Sequence, residues 1–108
     1  MHWVYVAWDS SGICLYVGRT STSRPWRRMF EHAKRSDWYN VADQIELHEF
    51  ATREDMRNAE DEMWHDLHPL WNDRRPGRAN DKPVEQHGWA RYQRDECGRF
   101  HQVSSVRR

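Results

Sequence analysis

The chain has no net charge, few cysteines and no long apolar run, and each shortage narrows what its 108 residues can be. No stretch approaches the ~20 apolar residues that a helix needs to cross a bilayer, so no membrane partner is expected. The N-terminal MHWVYVAWDSSG has neither the basic flank nor the apolar core of a secretion signal, which predicts a soluble, cytoplasmic protein. Cys14 and Cys97 are the only cysteines, one in an apolar run and the other in a polar turn. Free thiols in a reducing compartment are expected rather than a disulfide framework. Repeats and low-complexity tracts are also missing, and the length allows one domain with a modest core but no multidomain machine.

The zero balance of 17 basic against 17 acidic side chains hides a segregation. Arg19, Arg24, Arg27, Arg28, Lys34 and Arg35 face only Glu31 in their stretch, whereas Asp43 to Asp66 is mostly acidic. Lys34 and Lys82 are the only lysines. Arginine's planar fork suits bidentate contact with phosphate, which points the basic stretch toward nucleic acid, while a GC-rich genome would favour arginine codons equally well.

HWVYVAW at 2–8 alternates in the manner of a strand, DSSG is turn chemistry, and ICLYV follows, so residues 2–18 read as a β-hairpin. Thr22 or Ser23 then caps a helix with Pro25 in its first turn and with Trp26, Met29, Phe30 and Ala33 on one face. SDWYN reads as a loop. QIELHEF at 44–50 is a third strand, with Ile45, Leu47 and Glu49 on one side. Thr52 with Asp55 caps a second helix that runs to about Leu67 before Pro69 stops it. Its stripe is Met56, Glu60, Met63, Leu67, with a carboxylate where a core residue normally sits. DRRPGRANDKP reads as a linker or extended arm, and residues 89–103 as a small hairpin turning at DECG.

Tyr5, Tyr16-Val17-Gly18, Arg28 with His32 four residues on, Glu60, and Pro69-Leu70-Trp71-Asn72 form an ordered set. In that order they resemble the GIY-YIG nuclease superfamily: YVG stands for its YIG, and Trp3-Val4-Tyr5 keeps the tyrosine of its GIY. The run from Leu15 to His32 is similar to that of the small single-domain members, Glu60 lies nine residues before Pro69, and Asn72 lies three after it. The likeness covers residues 3–73. It implies an α+β fold: a small three-stranded antiparallel sheet flanked by helices, occupying residues 1–76, with a C-terminal extension over 77–108.

The resemblance further implies a metal-dependent endonuclease that hydrolyses DNA phosphodiester bonds, of the kind found in phages and mobile elements. Glu60 would hold Mg²⁺ or Mn²⁺, because a lone hard carboxylate completed by waters and phosphate oxygens suits those ions. Arg28 would bind the scissile phosphate. Tyr5 or Tyr16 would orient or deprotonate the attacking water; with an unperturbed pKa near ~10, a tyrosine needs a basic helper, for which His32 is the candidate. Gly18, Arg19, Arg24 and Arg27 would cradle the phosphate backbone. Asn72 would hold the second helix's end near the site or touch the phosphate.

Three other readings compete, one of them a protein-interaction domain that uses the chain's many tryptophans and would carry an exposed aromatic patch. A binding module of the same fold would hold nucleic acid without turnover. A metal site could use His65 and His68 with Cys14, Cys97, His87 or His101, although no CxxC supports it. One active site per chain implies nicking by a monomer or a double-strand cut by a homodimer. Arg91, Arg94, Arg99, Arg107 and Arg108 either follow DNA or form a solvated end.

Overall fold

Asp9 turns the first hairpin, its carboxylate accepting from the Ser11 and Ile13 amides at 2.8 and 2.9 Å. The flanking strands are His2–Trp8 (β1) and Cys14–Ser21 (β2), so the second runs three residues past Gly18. The computed structural model describes residues 1–27, 31, 35–72 and 74–107, with Arg107 described by its backbone alone. Arg24 N donates to Thr22 Oγ1 at 3.2 Å as the first helix begins, and residues 25–27 and 31 are helical. Met29, Phe30 and Ala33 of its expected apolar face lie outside the described residues.

SDWYN is not a loop. Asp37–Val41 forms a short helix, α1, whose Trp38 and Tyr39 are buried in the core. Five residues cannot hold a helix by propensity, and those two buried rings supply what the backbone lacks. Gln44–Phe50 (β3) pairs with the other edge of β1, and Arg53–Leu67 (α2) follows. The Thr52 side chain accepts from Asp55 N at 3.1 Å, and His68 closes α2 in the left-handed conformation.

The expectation of a three-stranded sheet with a C-terminal extension is overturned. Gly88–Arg94 (β4) and Phe100–Arg107 (β5) add to β3, giving one five-stranded antiparallel sheet ordered β2-β1-β3-β4-β5. The reason lies in β3, whose second row of backbone groups would otherwise have no ladder; β4 supplies it, with Ile45 opposite Tyr92 and Leu47 opposite Ala90. The turn at residues 95–98 connects the added pair.

Alternation along β1 divides the core. Ala7 joins Leu15, Trp38, Tyr39, Ala42, Ile45 and Leu47, with Tyr5 and Tyr16 packed on that side. Val4 and Val6 join Cys14, Val17 and Phe50 on the other, where Met56, Ala59, Met63 and Leu67 lay the stripe of α2 against the sheet. Burial pushes the Cys14 thiol up to about 11, and both cysteines are free. Among the described residues, no helix is long and apolar enough to cross a membrane.

The polar stretch after α2 is an arm tied down by buried polar groups. Asp61 accepts from Arg75 Nε and Nη2 at 2.7 and 3.0 Å and from Gly77 N at 3.0 Å. Asn58, fully buried, accepts from Ala79 N at 2.8 Å and donates to Asn80 Oδ1 at 2.9 Å. Glu62 receives Arg78. Much of the acidic charge of α2 is thus neutralised by this arm rather than facing solvent. Arg94 is likewise a structural group: Nε donates to Ala42 O at 2.7 Å, Nη2 donates to Tyr39 O, and the guanidinium lies 4.4 Å from the Phe100 ring centre.

Candidate active site

Tyr5 and Tyr16 meet because the hairpin register sets Tyr5 opposite Gly18 and Tyr16 opposite Ala7. Their rings are 5.9 Å apart between centres, and Tyr16 stacks on Trp38 at 5.1 Å with the planes 5° apart. α1 therefore backs the tyrosine pair from below.

Gly18 is needed for this packing. A Cβ there would stand 2.4 Å from both Cζ and Oη of Tyr5 and 2.7 Å from Cε1 of Tyr16. The close approach that the glycine permits is that of the Tyr5 ring, and Gly18 itself is buried. Gly18→Ala is expected to cost about 1–2 kcal/mol in a thermal melt, because the clash falls on the far end of a ring that can swing. The swing removes Tyr5 from its place, so any activity that depends on it should fall far more than the stability does.

Glu60 lies on the opposite side of the sheet, where α2 packs, and is 8% exposed. Its Oε1 is 3.6 Å from Nη1 of Arg19, which reaches it from the outer strand β2. Burial raises its pKa above the usual carboxylate value; Arg19 and Arg57 oppose that shift, and neighbouring Asp61 adds to it. Asp61, one residue on, cannot share Glu60's work because Arg75 and Gly77 occupy its oxygens. The Arg75 hydrogen bonds hold the Asp61 carboxyl below its ordinary pKa.

Asn72 joins the two halves. Its Oδ1 accepts from Val17 N at 2.8 Å and its Nδ2 donates to Val17 O at 2.9 Å, so one side chain copies a strand partner for the residue between Tyr16 and Gly18. Leu70 N to Cys14 O at 3.0 Å and Trp71 N to Leu15 O at 2.8 Å complete a strap along the outer edge of β2. Asn72 thus ties the segment that follows α2 to β2, next to Tyr16.

The expected set is thus divided by the sheet, with Tyr5, Tyr16 and Gly18 on one face, Arg19 and Glu60 on the other, and Asn72 on the edge between them. Arg24 is exposed, and Arg27 pairs with Glu31 at 3.4 Å; both border a shallow depression with Thr22. Arg28 and His32 lie outside the described residues.

Arg57 is a residue that sequence reasoning passed over. It stands three positions before Glu60 on α2, and its Nε is buried with no hydrogen-bond partner among the described residues. The i, i+3 spacing from the stripe's carboxylate was the available signal.

Among the described residues, no group of three His, Cys, Asp or Glu side chains could hold a metal ion. The donor set at Glu60 fits a hard cation with one protein carboxylate and otherwise waters and phosphate oxygens, and a buried carboxylate with a raised pKa gains from a cation's charge. No protein-family model, curated protein or solved structure matches the chain.

Proposed function

We propose that the protein is a divalent-metal-dependent endonuclease acting on DNA, working at the edge of β2 around Tyr16, Gly18 and Arg19. The observation that carries the reading is the placing of Glu60. A glutamate buried in the apolar stripe of α2, with a raised pKa, is an arrangement that stability alone disfavours.

In this reading Glu60 holds Mg²⁺ or Mn²⁺, which would neutralise charge developing on the phosphate and its leaving oxygen. Arg19, 40% exposed at its side chain, is the guanidinium within reach both of Glu60 and of a phosphate outside the strand. Arg24 and Arg27 contact the neighbouring backbone phosphates. Tyr5 or Tyr16 orients the attacking water and takes its proton, with His32 as the helper and Arg28 on the scissile phosphate. Trp38 and Gly18 fix the rings, and Asn72 fixes the strand that carries them.

The test is cleavage of supercoiled plasmid by the full chain. Nicked or linear product is expected with Mg²⁺ or Mn²⁺ and none with excess chelator, while DNA binding persists in both. Binding without cutting under every metal condition would favour the non-catalytic module of the same fold.

A further inference from the structure

Two elements bring arginines to Glu60. Met56 lies against Ser21, whose Oγ is 3.6 Å from its Sδ; one turn along α2, Glu60 meets Arg19, two residues back on β2. A helical turn of ~5.4 Å nearly matches two strand residues at ~3.3 Å each, so this side of α2 runs in step with β2. Arg57 stands one residue after Met56 and three before Glu60, on the flank that Glu60 shares.

Donors outnumber acceptors there. Arg57 is half-buried with its Nε enclosed, so the side chain lies along the molecule rather than standing out in solvent. Its guanidinium makes no hydrogen bond and no ion pair among the described residues. Trp64, four residues after Glu60, also has its indole N–H buried without a partner among them. Asp61 has no oxygen to lend, because Arg75 and Gly77 engage both. Buried donors are almost always hydrogen-bonded, so two unmet ones beside a single carboxylate mark a place for further acceptors. The one ion pair that Glu60 makes, at 3.6 Å to Arg19, is long for a charge-assisted hydrogen bond.

The surplus of charge points to an anion. A divalent cation arriving alone at Glu60 would meet two guanidinium groups against one carboxylate, which is net repulsion. A DNA backbone phosphate brings negative charge, and oxygens that guanidinium groups and a cation can share. We propose that Arg19 and Arg57 clamp a backbone phosphate of DNA at Glu60 and keep a divalent cation out until that phosphate is bound. The proposal deepens the nuclease reading and rests on it for the metal at Glu60. It adds Arg57 to the DNA contacts and leads the strand over the β2 edge, past Arg19, to the flank of α2.

The test uses the full chain carrying Tyr5→Phe and Tyr16→Phe, so that DNA stays whole in metal, with and without Arg57→Gln. DNA binding is followed by fluorescence anisotropy in chelator between about 50 and 200 mM salt. Mn²⁺ binding is followed by electron paramagnetic resonance with and without a DNA duplex, and Glu60→Gln subtracts the Mn²⁺ that DNA holds by itself. Arg57→Gln is expected to weaken DNA binding about tenfold and to lower the salt slope by about one, and Arg57→Lys to restore the slope. Mn²⁺ is expected to bind about tenfold more tightly when DNA is present, and Arg57→Gln to tighten it on the free protein, so that the coupling shrinks. DNA affinity and slope untouched by Arg57→Gln, or Mn²⁺ binding equal with and without DNA, overturns the proposal. The Mn²⁺ comparison needs no change at Arg57, so it decides the matter if Arg57→Gln does not melt cooperatively. Failure of the nuclease reading shows separately, as a native chain that keeps the Arg57-dependent slope yet leaves plasmid uncut in Mg²⁺ and Mn²⁺.

Discussion

Glu60→Gln is expected to lower plasmid cleavage by about 10³-fold while leaving the protein as stable as before or more so. The two halves of that result have one cause. Glu60 is almost fully buried and its pKa is raised, chiefly by burial. A carboxylate whose folded pKa exceeds its unfolded value stabilises the fold only in the protonated form. Its contribution is complete below the unfolded pKa, near ~4.3, and is lost as pH rises through the raised value. At neutral pH the charged side chain therefore strains the fold, and the neutral amide relieves it. The measurements are plasmid cleavage at matched DNA occupancy and thermal melts between pH 4 and pH 8. The native chain should lose ground to the variant as pH rises. A variant that melts much lower than the native chain at pH 7 would make Glu60 a structural ion pair with Arg19, and the metal role would fall with it.

The second large effect is expected at a residue that looks dispensable. Arg75 is about half exposed at its side chain, yet its two hydrogen bonds satisfy the nearly inaccessible Asp61. Arg75→Ala leaves that carboxylate buried with only Gly77 N and its more distant charged neighbours. Melting is expected to fall by about 10 °C at neutral pH, because an uncompensated buried charge costs far more than a surface pair contributes. The sign with pH is opposite to that of Glu60. Asp61 has a depressed pKa, so its stabilisation is present above the unfolded value near ~3.9 and disappears as pH falls through the folded one. The gap between native and Arg75→Ala should therefore close in acid. Asp61→Asn should narrow it too: the double variant is expected to melt close to Asp61→Asn alone. A gap that persists both in acid and when Asp61→Asn is already present would show that Arg75 acts by packing.

Local chemistry was legible in the sequence wherever it acts within a few residues. The period-2 runs named β1 and β3, and the DSSG turn with the apolar ICLYV after it named β2; Thr52 with Asp55 marked the start of α2; the stripe from Met56 to Leu67 marked the face that meets the sheet. The set around Tyr16, Glu60 and Asn72 was visible as an ordered pattern, although not its division between two faces. That depends on strand parity, since Tyr16 and Val17 point opposite ways and α2 covers Val17's side.

What was hidden depends on distant partners. No residue near Gly88 signals that β4 pairs with a strand that ended at Phe50. The helix Asp37–Val41 is too short to have a periodicity, and its burial comes from sheet residues on either side of it in sequence. Asn58 and Asp61 stand off the apolar stripe of α2 and are buried by an arm whose own composition reads as loop.

The strap of Leu70, Trp71 and Asn72 has a consequence for assembly. An antiparallel sheet with two bare edges can add strands at both and grow into a fibre. Here the β2 edge is closed at Cys14, Leu15 and Val17 by the chain's own backbone and the Asn72 amide, while the other outer strand is β5. A second copy that docked strand to strand along Cys14–Val17 would have to displace the strap first, and opening the strap is the change that would bare this stretch of the edge.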